Sequence, residues 1–390
     1  MSSLATPAEK RIATRPTWAE ISLPKLRENY RTIQRHLGNQ VTICAVVKAD
    51  AYGHGAVECS LALEEDGATW LGVTSLDEAI PLREGGVLAR ILLMTGFWEG
   101  EEAEIVRLRL TPTVWEADHI KSLNRAAKHA PGFPVHLKVD TGMGRLGTAM
   151  EDLKSVLDAL KDSSNLALEG VSTHLASSEI LDAGSVRNQL QCFAQACRLL
   201  KDAGLNPPLV HAANSGAVIA RADAWYNMVR PGIALYGYHL PFERNSIPTN
   251  SDVPSLPVHS ILNWKTCILS LRKVPPNQAL GYGGTYVTKS SATIAVLPVG
   301  YADGLNRQLS SRGRVIVRSQ YAPIVGRISM DLTLADVTSV SGAAVGDEVV
   351  LLGTSDGLSV DAMEHARLAN TTPYEILCSI SKRVPRKYVG

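Results

Sequence analysis

The stretch VTICAVVKADAYGHGA (41–56) decides how the chain is read. An apolar run of strand length stops on Lys48, and a glycine- and histidine-bearing turn follows it directly. Burying an unpaired ammonium is expensive, so a lysine closing an apolar strand is unusual. The ordinary alternative is a strand-end lysine that reaches solvent. The chemical alternative is a lysine whose pKa falls from ~10.4 toward neutrality, where its amine acts as a nucleophile, base or Schiff-base former.

Working outward, the same texture repeats. Apolar runs at 70–75 (WLGVTS), 90–96 (RILLMTG), 133–140 (FPVHLKVD), 166–174 (LALEGVSTH) and 208–215 (PLVHAANS) alternate with helix-like stretches. Those stretches include DHIKSLNRAAKHA (118–130), AMEDLKSVLDALKD (149–162) and SVRNQLQCFAQACRLLKDAG (185–204). Short strands separated by helices of ten or more residues predict βα units and a parallel sheet. About eight units fit this length, which favours a closed (β/α)8 barrel over an open doubly wound sheet. Near PFERNSIPTNSDVPSLPVHS (241–260) the texture changes to a linker, and strand-like runs with few helices follow it. One helix-like piece, VDAMEHARL (360–368), interrupts them. The expected division is a disordered tail over 1–16, an α/β barrel over 17–244 and a mainly β domain over 245–390. The first strand of the barrel segment is expected to pair with that second domain. In such a barrel the chemistry sits at the carboxyl ends of the strands.

Composition narrows the function classes. Lys+Arg total 39 against Asp+Glu 38, so nothing favours a nucleic-acid partner, and the expected ligand is small. The six cysteines show no framework spacing and no C-x-x-C, which predicts thiols in a reducing compartment. MSSLATPAEKRIATRP (1–16) has no long apolar segment, and no run reaches the ~18 residues of a membrane span. A cytoplasmic protein without membrane contact is expected. H-E-x-x-H, clustered Cys/His and P-loop patterns are absent, so no metal is expected. The histidines outside the motifs below read as structural or surface residues.

AVVKADAYGHGA (45–56) resembles the pyridoxal-phosphate lysine motif of the alanine racemases. TWAEISLPKLRENY (17–30), HLKVDTGMGRLG (136–147), HAANSGA (211–217), VRPGIALYG (229–237), LGYGGTY (280–286), LPVGYADGLNR (297–307), APIVGRISMD (322–331) and TTPYEILCSISKRVPR (371–386) resemble further segments of that family, in its order. The resemblance implies a pyridoxal-phosphate enzyme that interconverts L- and D-alanine, supplying D-alanine for peptidoglycan. It implies a head-to-tail homodimer with shared active sites.

The resemblance also implies residue roles. Lys48 and Tyr282 serve as the two acid/base groups, one for each face of the substrate. His174 and Arg230 stand behind the tyrosine, and Arg230 faces the cofactor's pyridine nitrogen. A permanent cation there disfavours protonation of that nitrogen and weakens the electron sink. Arg230 therefore favours racemisation over the fold-related decarboxylases, which carry an acid at the matching place. Tyr52, Ser215, Gly232, Ile233 and Tyr374 match phosphate-binding positions, with Asn214 beside them. Arg145 and the Met330 backbone meet the substrate carboxylate. Lys138 matches a lysine that CO2 carbamylates to position Arg145. Tyr301 narrows the entrance, Asp331 supports Met330, and Arg327 belongs to an outer gate. Tyr282, Tyr301 and Met330 are expected from the partner subunit. Ser329 and Thr372 depart from residues frequent in the family, and Thr372 near the entrance keeps a broader-specificity or serine racemase as the alternative. Gly142, Gly144 and Gly147 satisfy G-x-G-x-x-G, but no acid-terminated second strand follows at dinucleotide spacing.

Overall fold

Eight short strands pair in parallel in the first part of the chain: β2 (Thr42–Val46), β3 (Trp70–Val73), β4 (Arg90–Leu93), β5 (Thr111–Val114), β6 (Phe133–Lys138), β7 (Leu166–Ser172), β8 (Leu209–His211) and β9 (Met228–Val229). The spatial order is β9-β2-β3-β4-β5-β6-β7-β8, with every pair parallel, as in a (β/α)8 barrel. The computed structural model describes residues 15–244 and 254–390. The expected tail therefore lies outside the described residues over 1–14, and the middle of the expected linker does so over 245–253.

Helices fill the connections. Gly184–Asp202 matches the predicted amphipathic segment, with Val186, Phe193, Ala196 and Leu200 on its buried face. Leu153–Lys161 starts later than the sequence predicted, because residues 149–152 are spent in turns. The strand Thr111–Val114 was not among the predicted runs. It is four residues long and carries Pro112, a residue that argues against a strand interior.

The seam between β8 and β9 closes without regular strand pairing. The Asn227 side chain bridges it, accepting from the Val210 N–H at 2.7 Å and donating to the Pro208 carbonyl at 2.7 Å. Farther along, the Arg230 N–H donates to the Ala213 carbonyl at 2.9 Å. These bonds replace a ladder and bring the two strand ends together.

The chain divides into two compact units. One is the barrel, Ser22–Ile261 with Tyr388–Gly390; the other joins Leu262–Lys387 to the N-terminal stretch ending at Ile21. The second unit thus begins at Leu262, later than the linker texture indicated. It includes β1 (Thr17–Ser22), whose alternating burial suits a strand with one covered face. β1 lies antiparallel to Leu262–Cys267, with Ala19 opposite the buried Trp264. Two residues of the expected disordered tail are held within this unit. Arg15 pairs with the buried Asp303, and the Pro16 carbonyl accepts from the Thr266 hydroxyl at 2.8 Å. A second sheet orders Ser270–Val274, Ala292–Leu297 and Thr333–Asp336 antiparallel. No described helix is long and apolar enough to cross a membrane.

Asn227→Ala removes the acceptor that the Val210 N–H uses at the seam. Urea unfolding should show a loss of about 1 kcal/mol; an unchanged midpoint would mean that the seam closes without this side chain.

Candidate active site

The polar residues singled out in the sequence gather at the carboxyl ends of the barrel strands. Lys48 follows β2, Lys138 ends β6, His174 lies just past β7, and Arg230 follows β9. After Lys48 the backbone turns the unusual way. Ala49, Asp50, Ala51 and Tyr52 all take left-handed conformations, with φ between 51° and 54°. Each such residue costs roughly 1–2 kcal/mol, so the turn needs outside support. Glu78 supplies part of it, accepting from the Ala49 N–H at 2.7 Å and the Thr74 N–H at 2.7 Å. Asp50 accepts from the Ala56 N–H through its carboxylate and from the Gly55 N–H through its carbonyl. The turn aims Tyr52 back into the barrel, where its ring packs 5.0 Å from that of Tyr236.

Tyr52 meets the segment after β9 very closely. A Cβ added at Gly232 would lie 2.2 Å from the Tyr52 hydroxyl, so only glycine permits this approach. The buried Ser215 hydroxyl accepts from the Gly232 N–H at 2.9 Å, which joins the Ser215 and Gly232 loops. Ile233 is buried immediately beyond. Tyr52, Ser215, Gly232 and Ile233 therefore come together in one cradle, in which the two hydroxyls approach the backbone closely and the Gly232 N–H is already given to Ser215. Asn214 caps the helix Ser215–Ala220, accepting from the Ala217 N–H at 3.1 Å and the Ser178 hydroxyl at 2.7 Å. Its side-chain oxygen is committed to shaping the loop.

Arg230 is buried, and burial pushes its guanidinium down to about 10. It donates to the Thr173 carbonyl at 2.7 Å, the Ala212 carbonyl at 3.2 Å and His211 Nδ1 at 2.6 Å. An arginine only donates, so His211 Nδ1 must be an acceptor and the ring proton must sit on Nε2. His211 Nε2 lies 2.9 Å from His136 Nδ1 and donates to it. The remaining His136 proton therefore sits on Nε2, which points toward Glu169 at 3.7 Å. The donors run one way, from Arg230 through His211 to His136, whose Nε2–H has no hydrogen-bond partner among the described residues and faces Glu169 across 3.7 Å. Burial, followed by the charge of Arg230, holds His211 well below the ordinary histidine range. Burial likewise lowers His136 against the opposing pull of Glu169. The His136 ring occupies space that only Gly170 leaves open, since a Cβ there would lie 2.5 Å from it.

No role falls to His136 or His211 in the sequence, although each opens a segment that resembles the family. Both are fully buried, and His211 holds the arginine central to the site. Each stands within or at the end of an apolar run, and that placement was the available signal.

The mouth of the barrel is rich in positive charge. Lys138 is pushed down to about 8, first by burial and then by Arg230, Arg145 and Lys48. His174 is pushed down to about 3 by burial and by the same cations with Lys138. Arg145 lies on the loop that begins at Asp140. The Asp140 carboxylate accepts from the N–H groups of Gly142, Met143 and Gly144 at 2.9–3.1 Å. Gly142 and Gly144 thus spend their N–H donors on the chain's own aspartate, and the dinucleotide reading of this loop has no support.

In the second unit, Tyr282 stands 72% exposed in the turn between Ala279–Leu280 and Tyr286–Val287. Tyr301 and Met330 are also exposed, and their loops are joined. The Tyr301 N–H donates to the Ser329 carbonyl at 3.0 Å and the Ala302 N–H to the Met330 carbonyl at 3.1 Å. Arg383 clasps the same two loops, donating to Asp331 at 2.7 Å and lying 3.6 Å from Asp303. Arg327 sits against the Tyr282 turn, with its Nη1 3.1 Å from where a Gly283 Cβ would be. Ser329 shapes its own turn, its hydroxyl donating to the Leu332 carbonyl at 2.7 Å and accepting from the Leu332 N–H at 3.1 Å. Tyr374 lies on the helix Pro373–Cys378, whose N-cap is Thr372, and so belongs to the second unit, unlike the other predicted phosphate residues.

Comparison with known proteins agrees along the chain. Residues 21–240 match the alanine racemase N-terminal domain family, and residues 261–388 match the alanine racemase C-terminal domain family. The chain is 40% identical over 377 residues to alanine racemase 2 of Caldanaerobacter subterraneus subsp. tengcongensis, covering 96% of this chain and 95% of that protein. A crystal structure of alanine racemase from the D-cycloserine producer Streptomyces lavendulae is similar with a TM-score of 0.88 at 31% identity, covering 97% and 98% of the two chains. One from Bartonella henselae, with covalently bound pyridoxal phosphate, is similar with a TM-score of 0.83 at 30% identity, covering 96% of this chain and 100% of that one.

The histidine chain generates a pH prediction. The folded protein holds both rings neutral, whereas the unfolded chain protonates them as the pH falls through about 6.5. Their contribution to stability is whole above that pH and is lost on acidification. Nitrogen-15 NMR should find His136 and His211 neutral and protonated at Nε2 while the pH is lowered through this range. An Nδ1–H tautomer at either ring would contradict the ordered chain.

Proposed function

This chain belongs to the alanine racemase family, and on that premise we propose that it interconverts L- and D-alanine with pyridoxal phosphate as its cofactor. The observation that carries the reading is Arg230, a buried cation held by neutral acceptors at the mouth of a barrel. The cofactor suits the residues present. Tyr52, Ser215, Gly232 and Ile233 offer a cradle for its phosphate, with Tyr374 also assigned to that group, and Arg230 offers a donor to its ring nitrogen. Because a guanidinium donates and does not readily give up its proton, it suits an unprotonated nitrogen, which supports racemisation over decarboxylation. When bound, pyridoxal phosphate supplies the electron sink that makes the α-hydrogen of an amino acid acidic.

The protein's own groups do the rest. Lys48 anchors the cofactor covalently and moves a proton at Nζ on one face of the substrate. Tyr282 of the partner subunit moves a proton at its hydroxyl on the other. Exposure of Tyr282, Tyr301 and Met330 supports a head-to-tail homodimer in which these residues complete the partner's site. His174, held neutral among cations, backs Tyr282 without competing as an acid. Arg145 and the Met330 N–H orient the substrate carboxylate. Tyr301 and Tyr374 crowd the entrance against side chains larger than methyl. No disulfide links the six cysteines, which supports a reducing, cytoplasmic setting.

Lys138 is assigned the carbamate. With its pKa pushed down to about 8, a larger share of its amine is neutral and nucleophilic near physiological pH than for an ordinary lysine. Adding CO2 replaces a cation beside Arg145 and Arg230 with an anion, which removes repulsion and fixes Arg145. Gentle intact-mass measurement should find the mass of one CO2 that acid treatment removes, and Lys138→Ala should lack it. A persistent adduct in that variant would place the modification elsewhere.

The activity is tested by following loss of optical rotation from pure L-alanine with purified protein and pyridoxal phosphate. Complete loss without CO2 or keto-acid release is expected. Lys48→Ala should lose both turnover and the visible absorbance of the bound cofactor. Tyr282→Phe should slow hydrogen removal from L-alanine far more than from D-alanine; equal damage in both directions would overturn the two-face scheme.

A further inference from the structure

Glu169 lies 3.7 Å beyond the last ring of the chain that starts at Arg230. It takes two bonds from Arg90, each 2.5 Å, and Arg90 lies 4.1 Å over the Trp70 ring. Arg90 opens β4, so it stands at the amino-terminal floor of the barrel, opposite the end that carries Lys48. There it lines a cavity of about 570 Å³ with Arg83, Arg107 and Arg109. No carboxylate is among the residues lining this cavity. Its remaining walls are mainly apolar, including Phe133 and Leu88, and Leu88 is 84% exposed at the rim.

Four guanidiniums around one concavity repel one another unless an anion sits among them. Three already have partners. Arg83 donates to the Leu108, Val87 and Ala89 carbonyls at 2.8–3.1 Å, and Arg107 turns two of its nitrogens to Glu104. Arg90 is committed to Glu169. Arg109 has no hydrogen bond or ion pair from its guanidinium among the described residues, and its backbone is fixed in the left-handed region at φ 51°. That conformation caps the helix Glu102–Arg107, where the Arg109 N–H donates to the Val106 carbonyl and the Leu110 N–H to the Ile105 carbonyl, and it holds the Arg109 side chain at the cavity. A guanidinium fork matches carboxylate and phosphate oxygens, and the apolar walls suit an organic body.

We propose that this floor cavity binds a small organic anion, a carboxylate or phosphate monoester with an apolar body, and that Arg90 reports its occupancy to Arg230. An anion on Arg107 and Arg109 competes with Glu169 for Arg90. Glu169, released in part, is free to close the 3.7 Å gap and accept the His136 Nε2–H, which has no partner among the described residues. Each ring in turn becomes a better acceptor at Nδ1, and His211 draws more strongly on the Arg230 donor. The binding step stands without the catalytic reading; the report to Arg230 rests on the cofactor's placement there.

Phenyl phosphate is a suitable probe, titrated calorimetrically into the cofactor-loaded enzyme at constant ionic strength. One site per chain is expected, weakened at least about tenfold in Arg107→Ala/Arg109→Ala and unchanged in Arg145→Ala. The visible band of the bound cofactor should shift with the same midpoint, and this shift should vanish in Glu169→Gln. Absence of saturable binding, or affinity untouched by the double substitution, would overturn the site. Binding that depends on Arg107 and Arg109 but leaves the band unmoved would overturn the link to Arg230.

Discussion

A guanidinium buried without a carboxylate beside it is the constraint on which the barrel's chemistry depends. Arg230 keeps its charge through two backbone carbonyls and one imidazole lone pair. That lone pair exists only while His211 is neutral with its proton on Nε2, and the same logic then dictates the tautomer of His136. A single buried cation thus orders two rings and ends on Glu169, whose own charge is balanced by Arg90. The strands β6, β7 and β8 are tied to one another through these side chains as well as through their backbones. On the proposed reading the consequence is chemical, because the ring nitrogen of the cofactor then meets a donor.

The other cations at the mouth follow from the same economy of acids. Arg230, Arg145 and Lys48 each lower the tendency of Lys138 and His174 to hold a proton, and Lys138 does the same to His174. Such a mouth suits anions: a phosphate in the Tyr52–Gly232 cradle and a carboxylate near Arg145. The left-handed turn after Lys48 serves that arrangement. It lets one short segment carry both the lysine and, four residues later, the tyrosine that meets Gly232, with Glu78 and Asp50 offsetting the backbone cost.

The sequence made a good part of this legible. An apolar run stopping on a lysine marked Lys48, since a parallel barrel places strand ends on one face, while the family resemblance marked Lys138 and His174. Family segments marked Arg230 and the Tyr282 turn. The histidine chain was not legible, because His136 and His211 are brought together by the curvature of the barrel and lie 75 residues apart. The strand at Thr111–Val114 was hidden by its length and its proline. The left-handed turn was hidden because Ala49, Asp50 and Ala51 are ordinary helix or loop residues, and bonds formed only in the fold, to Glu78 and around Asp50, support their conformation. The boundary near 245 was read from composition, whereas packing extends the barrel unit to Ile261.

The central claim is that Arg230, held as a cation by neutral histidines, fixes the protonation state of the cofactor ring. Nitrogen-15 NMR of the enzyme loaded with ring-labelled pyridoxal phosphate tests it most directly. An unprotonated pyridine nitrogen near neutral pH, becoming protonated when Arg230 is replaced by glutamate, is the predicted result. A pyridinium nitrogen in the unaltered enzyme would contradict the account.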